Sequence, residues 1–429
     1  MLKILLSVSI DLLYKNAPMD PPPMPRANLT YDERRILLST SYGHFISHFN
    51  MLVFPAVALP ISVYLKMDLV AVLELSFIMY LLFGLTALPW GLAADRWGAF
   101  LLFRIYYLGA GFSAFAAAFY MDSPDKLPWA LAGIGFFSGI YHPAGLGLIS
   151  KTVQRVSIGM GINGMFGNLG LATAPVAAGL LNWMWGPRAV YIALGCINLL
   201  GLILMRLTPW ELSTGENKTQ SAHTGGMVRP FLILLVAMML GGIVYRGATV
   251  ITPAFFELKL QGFFEWMSRR TAYPLSNNLI ATGITSMIFL IGTLGQYCGG
   301  KIADRYDPRY SLMLFHAVTI PAAVLMVSGG EVMLVLLAFV FFFFLLGMQP
   351  IENTLVARLT PPRLHHSAYG TKFVLTFGVG ALAVRLVGVI ERSYHLGAVY
   401  YALAIGSCFI VVAVFFLIVA TQNDERVHP

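Results

Sequence analysis

The sequence predicts an all-α polytopic membrane protein, with 12 transmembrane helices in two pseudo-symmetric six-helix bundles. Three observations predict it. First, the chain of 429 residues is 58% hydrophobic and only 11% charged, where a soluble domain is about 45–50% apolar and about 25% charged. Second, twelve apolar stretches reach the length of roughly 20 residues that a helix needs to cross hydrocarbon. Third, one short charged corner is written twice, as Gly91-Leu-Ala-Ala-Asp95-Arg96-Trp-Gly98 and as Gly300-Lys-Ile-Ala-Asp304-Arg305-Tyr-Asp307, with the copies 209 residues apart. An echo at half the chain length marks an architecture of two similar halves.

Taken in order, residues 1–33 read as a cytoplasmic tail, amphipathic and then Pro-rich: Lys3 precedes an apolar run that Asp11 interrupts, and Pro21, Pro22, Pro23 and Pro25 follow. No small-residue cleavage site follows the run, so it reads as an uncleaved tail. The first bundle, 34–207, holds spans at 36–65, 69–94, 98–120, 127–150, 156–181 and 187–207. A polar linker, 208–227, separates it from the second bundle, 228–420, with spans at 228–257, 275–302, 308–328, 331–357, 366–390 and 396–420. A short tail, 421–429, ends the chain. Other echoes support the duplication. Phe136-Phe-Ser-Gly139 before Pro143 in the fourth span matches Phe344-Leu-Leu-Gly347 before Pro350 in the tenth, and Phe166-Gly167 in the fifth matches Phe377-Gly378 in the eleventh.

Most of the 28 Lys and Arg fall in the termini and in the turns that share a side with them, which places both termini in the cytoplasm. The net charge of +8 reports this loop bias and implies no nucleic acid. The turn from Glu257 to Asn277 then lies outside; its Phe263, Phe264, Trp266 and Arg269-Arg270 suit either a helix lying at the interface or an ordinary loop. The three cysteines, Cys196, Cys298 and Cys408, are far apart in apolar runs and read as small buried hydrophobes with no disulfide or zinc spacing. No phosphate-binding loop, nucleophile elbow or metalloprotease motif occurs, so the expectation is a protein that is not an enzyme and needs no cofactor. The expected partners are a small-molecule or ion substrate and the lipid bilayer, with the chain acting as a monomer.

Twelve spans, a polar central linker and Gly-x-x-Ala-Asp-Arg after both the second and eighth spans resemble the major facilitator superfamily of secondary transporters, over residues 34–420. The resemblance implies a gating role for Gly91, Asp95, Arg96, Gly98, Gly300, Asp304 and Arg305. Asp95 would face the start of the eleventh span near Ser367 to Gly370, and Asp304 the start of the fifth near Ser157 to Gly159, each by attraction to free helix N–H groups. Two departures stand out: Ala99 and Phe100 follow Gly98 where the family carries basic residues, and Asp307 replaces the second copy's last glycine. A second resemblance, through His44-Phe-Ile-Ser-His48-Phe-Asn50 and Gly139-Ile-Tyr141-His142-Pro143-Ala-Gly145, is to the fosmidomycin-resistance-like branch. The Tyr-His-Pro-Ala-Gly run is also similar to that of facilitator-type permeases of magnetosome membranes.

In that fold the first and fourth spans line a central cavity, so His44, His48 and His142 would converge there. A group that changes charge near neutral pH suits proton coupling. The same three imidazoles, with Tyr42, Asn50 or Tyr141, suit a transition-metal ion, or each ring simply packs against a neighbouring carbonyl. Arg246, mid-way along the seventh span, calls for an anion, and Glu352 of the tenth span can pair with Lys372 of the eleventh. The residues expected to meet substrate or proton are therefore His44, His48, Asn50, His142, Arg246 and Glu352, with His44, His48 and His142 as the metal alternative. Glycines of the fifth and eleventh spans, Gly159, Gly161, Gly164, Gly167, Gly170, Gly370, Gly378 and Gly380, are expected to let the halves approach closely. The reading is a secondary active transporter of a small solute by alternating access, proton-coupled, in the cell inner membrane. An iron permease of a magnetosome-type organelle membrane is the alternative, and a non-transporting sensor or scaffold is the reading from another class.

Overall fold

The computed structural model describes residues 29–154, 156–206, 228–271, 275–360 and 365–422, with the side chains of 156–158 and 365–367 left aside. The expected amphipathic tail, the linker and the C-terminal tail lie outside the described residues, apart from a few at their edges. Among the described residues all regular structure is helical, and nine helices are long and apolar enough to cross a bilayer, or eleven if two bent pairs each count as one span. The remaining expected span is two short helices, Leu127–Ser138 and Tyr141–Thr152, joined at Gly139 and Ile140.

Prolines set these breaks. A proline cannot donate to the carbonyl four residues earlier, and its ring crowds that carbonyl. The first span, Tyr31–Ala56 and Ala58–Leu65, bends by 48° at Val57, just after the residue four before Pro60. The second, Leu69–Leu85 and Ala87–Trp97, bends by 45° at Thr86, just after the residue four before Pro89. The fourth breaks at Gly139, four before Pro143. The first span starts at a capping box, in which Thr30 accepts from the Glu33 N–H at 3.2 Å and the Glu33 carboxylate accepts from the Thr30 N–H at 2.7 Å.

The fifth span, Val156–Trp185, packs along the first within the first half and along the eighth, Asn277–Arg305, across the halves. The second span packs on the eleventh, which is a composite of His365–Phe373, a π-helical turn Val374–Gly378, a 3-10 turn Val379–Ala381 and Leu382–Ser393. At that crossing a Cβ on Gly84 would sit 2.0 Å from the Gly378 nitrogen, so the two backbones touch. The duplication shows in detail: Gly91 packs on Pro143 and, in the other half, Gly300 packs on Pro350.

The glycines divide their work differently from the expectation. Gly378 and Gly370 do face the second-span region, at Leu85 and Leu88. Gly167 and Gly170 instead lie against His44 and the Phe45 carbonyl of the first span, so they close up the first half rather than the seam between halves. The cysteines also differ: Cys196 and Cys408 are exposed, on a surface that in this architecture faces lipid. The turn after the seventh span, Val228–Lys259, carries a helix, Gln261–Ser268, whose first N–H groups at Gly262 and Phe263 both donate to the Glu331 carboxylate at 2.7 Å. Phe263 and Trp266 stack on it, with Arg270 over the Trp266 ring. The segment is thus a short helix with exposed aromatic residues rather than a plain loop.

Candidate functional site

The site is built where the kinked first and fourth spans meet the fifth. His44 and His48, one helical turn apart, share a face of the first span, and the helix restarting at Tyr141 brings His142 to meet them. One ligand nitrogen from each ring lies within 4.8 Å of the other two. His48 Nε2 is 3.0 Å from His44 Nε2, and His44 Nδ1 is 2.9 Å from the Asn163 carbonyl of the fifth span. That carbonyl can only accept, so His44 carries its proton on Nδ1; with both rings neutral, His48 Nε2–H then donates to His44 Nε2. His48 Nδ1 is left with its lone pair. His142 Nδ1 is buried without a partner. The cluster is thus a chain of nitrogens with open acceptor positions at one end and a backbone carbonyl at the other.

Its walls come from both halves. Tyr141 stacks on His44 with ring centroids 4.8 Å apart and donates to Asn163 Oδ1 at 2.9 Å. Phe83 of the second span and Phe373 and Phe377 of the eleventh flank His142 at 5.6, 4.9 and 5.3 Å. Phe373 immediately precedes the π-helical turn and Phe377 lies within it, a feature that often marks functional positions. Asn163 and these phenylalanines are site residues that the sequence reading did not single out. The polar Asn163 inside an apolar glycine-rich span was the one available signal.

Arg246 of the seventh span is 2% exposed, with its guanidinium carbon 3.9 Å from the ring centre of Tyr80 in the other half. Its Nε has no partner. Glu352 and Lys372 pair at 3.1 Å, both buried, with Lys372 Nζ also donating to Asn353 Oδ1 at 2.7 Å. Asn50 is occupied elsewhere: its amide donates to Ser138 Oγ at 2.9 Å and Asn198 Oδ1 at 3.1 Å, and accepts from Asn198 at 2.8 Å. These bonds join the first, fourth and sixth spans and give Asn50 a packing role. Tyr42 likewise donates to the Ile197 carbonyl.

At the Asp-Arg corners, Asp95 is 69% exposed and pairs with Lys151 of its own half at 2.9 Å. The helix start that the resemblance assigns to Asp95 includes side chains outside those described. Asp304 and Arg305 are exposed. Gly98 has φ +83°, a conformation that favours glycine. Asp307, in its place in the second copy, is extended and caps the ninth span at the Arg309 N–H, while its carboxylate holds the buried Arg309 side chain against Thr421. That explains the departure: the second corner trades a flexible turn for a clamp on the end of the twelfth span.

Among the described residues, several polar ties join the halves at mid-depth and toward the face opposite the corners. Asn168 bonds Gln296, the Val176 N–H donates to Ser286 at 2.9 Å, and Asn278 donates to the Ala56 carbonyl at 2.9 Å. Glu74, at the far end of the second span, pairs with Arg385 at 3.1 Å and Arg392 at 3.3 Å on the eleventh.

The sequence model of the Major Facilitator Superfamily matches residues 40–384. Among solved structures, the chain is similar to a bacterial homologue of the human lysosomal transporter Spinster in an inward-facing, occupied conformation, at 15% identity and a TM-score of 0.69, covering 93% of this chain and 99% of that one. It is also similar to a mutant of the nucleoside transporter NupG, at 17% identity and a TM-score of 0.66, covering 89% and 99%. No curated protein matches the sequence.

Proposed function

The chain belongs to the Major Facilitator Superfamily, a multi-pass membrane transporter and not an enzyme, and from that premise we propose that it is a proton-coupled carrier of a small solute in which His48, His44 and His142 pass the coupling proton. The observation that carries this reading is the directed bond chain from His48 through His44 to the Asn163 carbonyl. A proton taken up at the free face of His48 or His142 repels its neighbours and reorients the chain. Because Phe373 and Phe377 of the second half cover His142, rocking the halves changes access to the same rings. Binding and gating then share one element, which alternating access requires.

In this proposal the two bundles are 34–207 and 228–420, the corners face the cytoplasm, both termini lie inside, and the arrangement is inward-facing, since Glu74 and Asn278 tie the opposite side. Asp95, Arg96, Asp304 and Arg305 act at the gate, with Lys151 holding Asp95 when the opposite half is away. The inner membrane and the fosmidomycin-resistance-like likeness belong to the same proposal.

The test is uptake into proteoliposomes under an imposed pH gradient, with a panel of organic anions, amines, nucleosides and sugars. His48→Gln is expected to abolish concentrative uptake of the active cargo while leaving equilibrium exchange within about threefold, because proton coupling and cargo binding are separable contributions. Concentrative uptake at the wild-type level in both His48→Gln and His142→Gln would overturn it. The three converging imidazoles also favour a second reading, a transition-metal cation such as iron as cargo, as in the magnetosome likeness. Tetrahedral ligation with metal–nitrogen bonds of about 2.0–2.1 Å sets donors about 3.3 Å apart, so the rings would close up and the His48–His44 bond would break. Iron, zinc and manganese uptake in the same panel decides it.

A further inference from the structure

Arg246 is a charge without a counter-charge. No carboxylate among the described residues lies within ion-pair distance of it; the buried carboxylate of its own half, Glu352, is committed to Lys372. Desolvating an ion is costly even after relaxation, and the face of Tyr80, 3.9 Å away, returns only part of that cost. The Tyr80 hydroxyl donates to the Met51 carbonyl at 2.8 Å and keeps lone pairs that can accept from the guanidinium, but a neutral phenol supplies no counter-charge. Two polar atoms of this region, Arg246 Nε and the Tyr191 hydroxyl, are buried and unpartnered. The histidine cluster contains no acid either, so nothing on that side neutralises the guanidinium.

A deepening of the transporter reading, independent of its proton coupling, follows from this geometry: we propose that Arg246 anchors an anionic group of the cargo, a carboxylate or a phosphorus oxyanion, held between the seventh span and the Tyr80–Met51 corner of the opposite half. A guanidinium matches such groups with two parallel N–H bonds. Its place suits a carrier, because the arginine is on one half and its aromatic platform on the other, so the anion binds where the two halves meet. The same placement disfavours a free divalent cation, which would add two positive charges beside one already unbalanced.

The experiment measures thermal stabilisation of the full chain in lipid nanodiscs by four probes of nearly one shape: benzoate, phenylphosphonate, benzamide and benzylammonium. Benzoate or phenylphosphonate is expected to raise the melting midpoint saturably, and which of the two does so separates carboxylate from phosphorus cargo. The neutral and cationic probes are expected to do nothing at equal concentration. Arg246→Gln should weaken the anion's apparent affinity about ten- to hundredfold, the usual worth of a charged hydrogen bond, and Arg246→Lys should restore part of it. Stabilisation by benzamide or benzylammonium equal to that by the anions overturns the proposal, as does stabilisation by no anion or an undiminished affinity in Arg246→Gln. If Arg246→Gln does not fold, the wild-type comparison of benzoate with benzamide decides alone. Anion binding intact in a protein that shows no proton-driven uptake would sink the coupling reading and leave this one standing; coupled uptake of a neutral or cationic cargo would do the reverse.

Discussion

Met51 and Ala56 each carry a main-chain carbonyl that a proline four residues later, Pro55 or Pro60, cannot bond. Both carbonyls are claimed by side chains from elsewhere, the Tyr80 hydroxyl at 2.8 Å and the Asn278 amide at 2.9 Å. A buried unpaired carbonyl costs about 1–3 kcal/mol, so these two side chains hold the first span to its neighbours. The same economy governs the histidines, where one glycine makes the room. A Cβ on Gly167 would lie 2.6 Å from His44 Cε1 and Nε2, whereas one on Gly164 meets nothing within 4 Å. Gly167→Ala is therefore expected to displace the His44 ring, cost about 1–3 kcal/mol of stability by overpacking, and slow gradient-driven uptake, while Gly164→Ala behaves as wild type in both assays. Equal melting and uptake in the two variants would show that the ring position does not matter.

At the scale of elements, the broken spans are the working parts. Each break sits where a proline removes a bond, and each broken span contributes to the cluster: His44 and His48 from the first, Phe83 from the second, His142 from the fourth. The unbroken eighth span is instead a strut, on which Gly295 and Gly299 accept the backbone of the tenth at Phe343 and Gly347. Span ends are tied outside the bilayer. Asp122, in the turn after Ala99–Phe119, accepts from the Tyr64 hydroxyl and from Arg188, joining the first, third and sixth spans. The Tyr64 bond, and the Arg188 guanidinium after it, hold this carboxyl below the usual carboxylate range. Its contribution is therefore full above the ordinary value, about pH 3.9, and is lost as pH falls through the lower folded value. Asp122→Asn is expected to melt below wild type at neutral pH, with the gap closing only below about pH 4. A gap that stays constant down to pH 3 would contradict that assignment.

For the whole molecule, the question is what holds the far side shut. Glu74 joins the second span to the eleventh through two arginines that are each more than half exposed. Exposed pairs are worth about 0–1 kcal/mol each and weaken with salt. That is small against the stability of a fold, yet enough to bias a balance between two states of similar energy. Glu74→Gln is expected to raise thiol labelling of a cysteine placed at Ser62, on the far segment of the first span, by about two- to fivefold at low ionic strength, and by less in high salt. Unchanged labelling would move the seal to the Asn278–Ala56 bond and the packing of Gly84 on Gly378.

The sequence by itself determined the membrane class and the two-half plan, because these follow from hydrocarbon thickness and from a copied motif. It also named the three histidines, since polar groups inside an apolar span stand out without any structure. Tertiary structure alone decided what those groups do. Asn50 looks in sequence like a site residue, yet it is consumed by Ser138 and Asn198; Asn163 looks like one more small polar residue, yet it orients His44. Gly167 serves a ring rather than a seam, Glu74 reaches two arginines over three hundred residues away, and Arg246 finds an aromatic face but no acid. The reason is that composition and spacing report the cost of burying a group, while the partner that offsets the cost comes from another helix, and only packing brings that helix within reach.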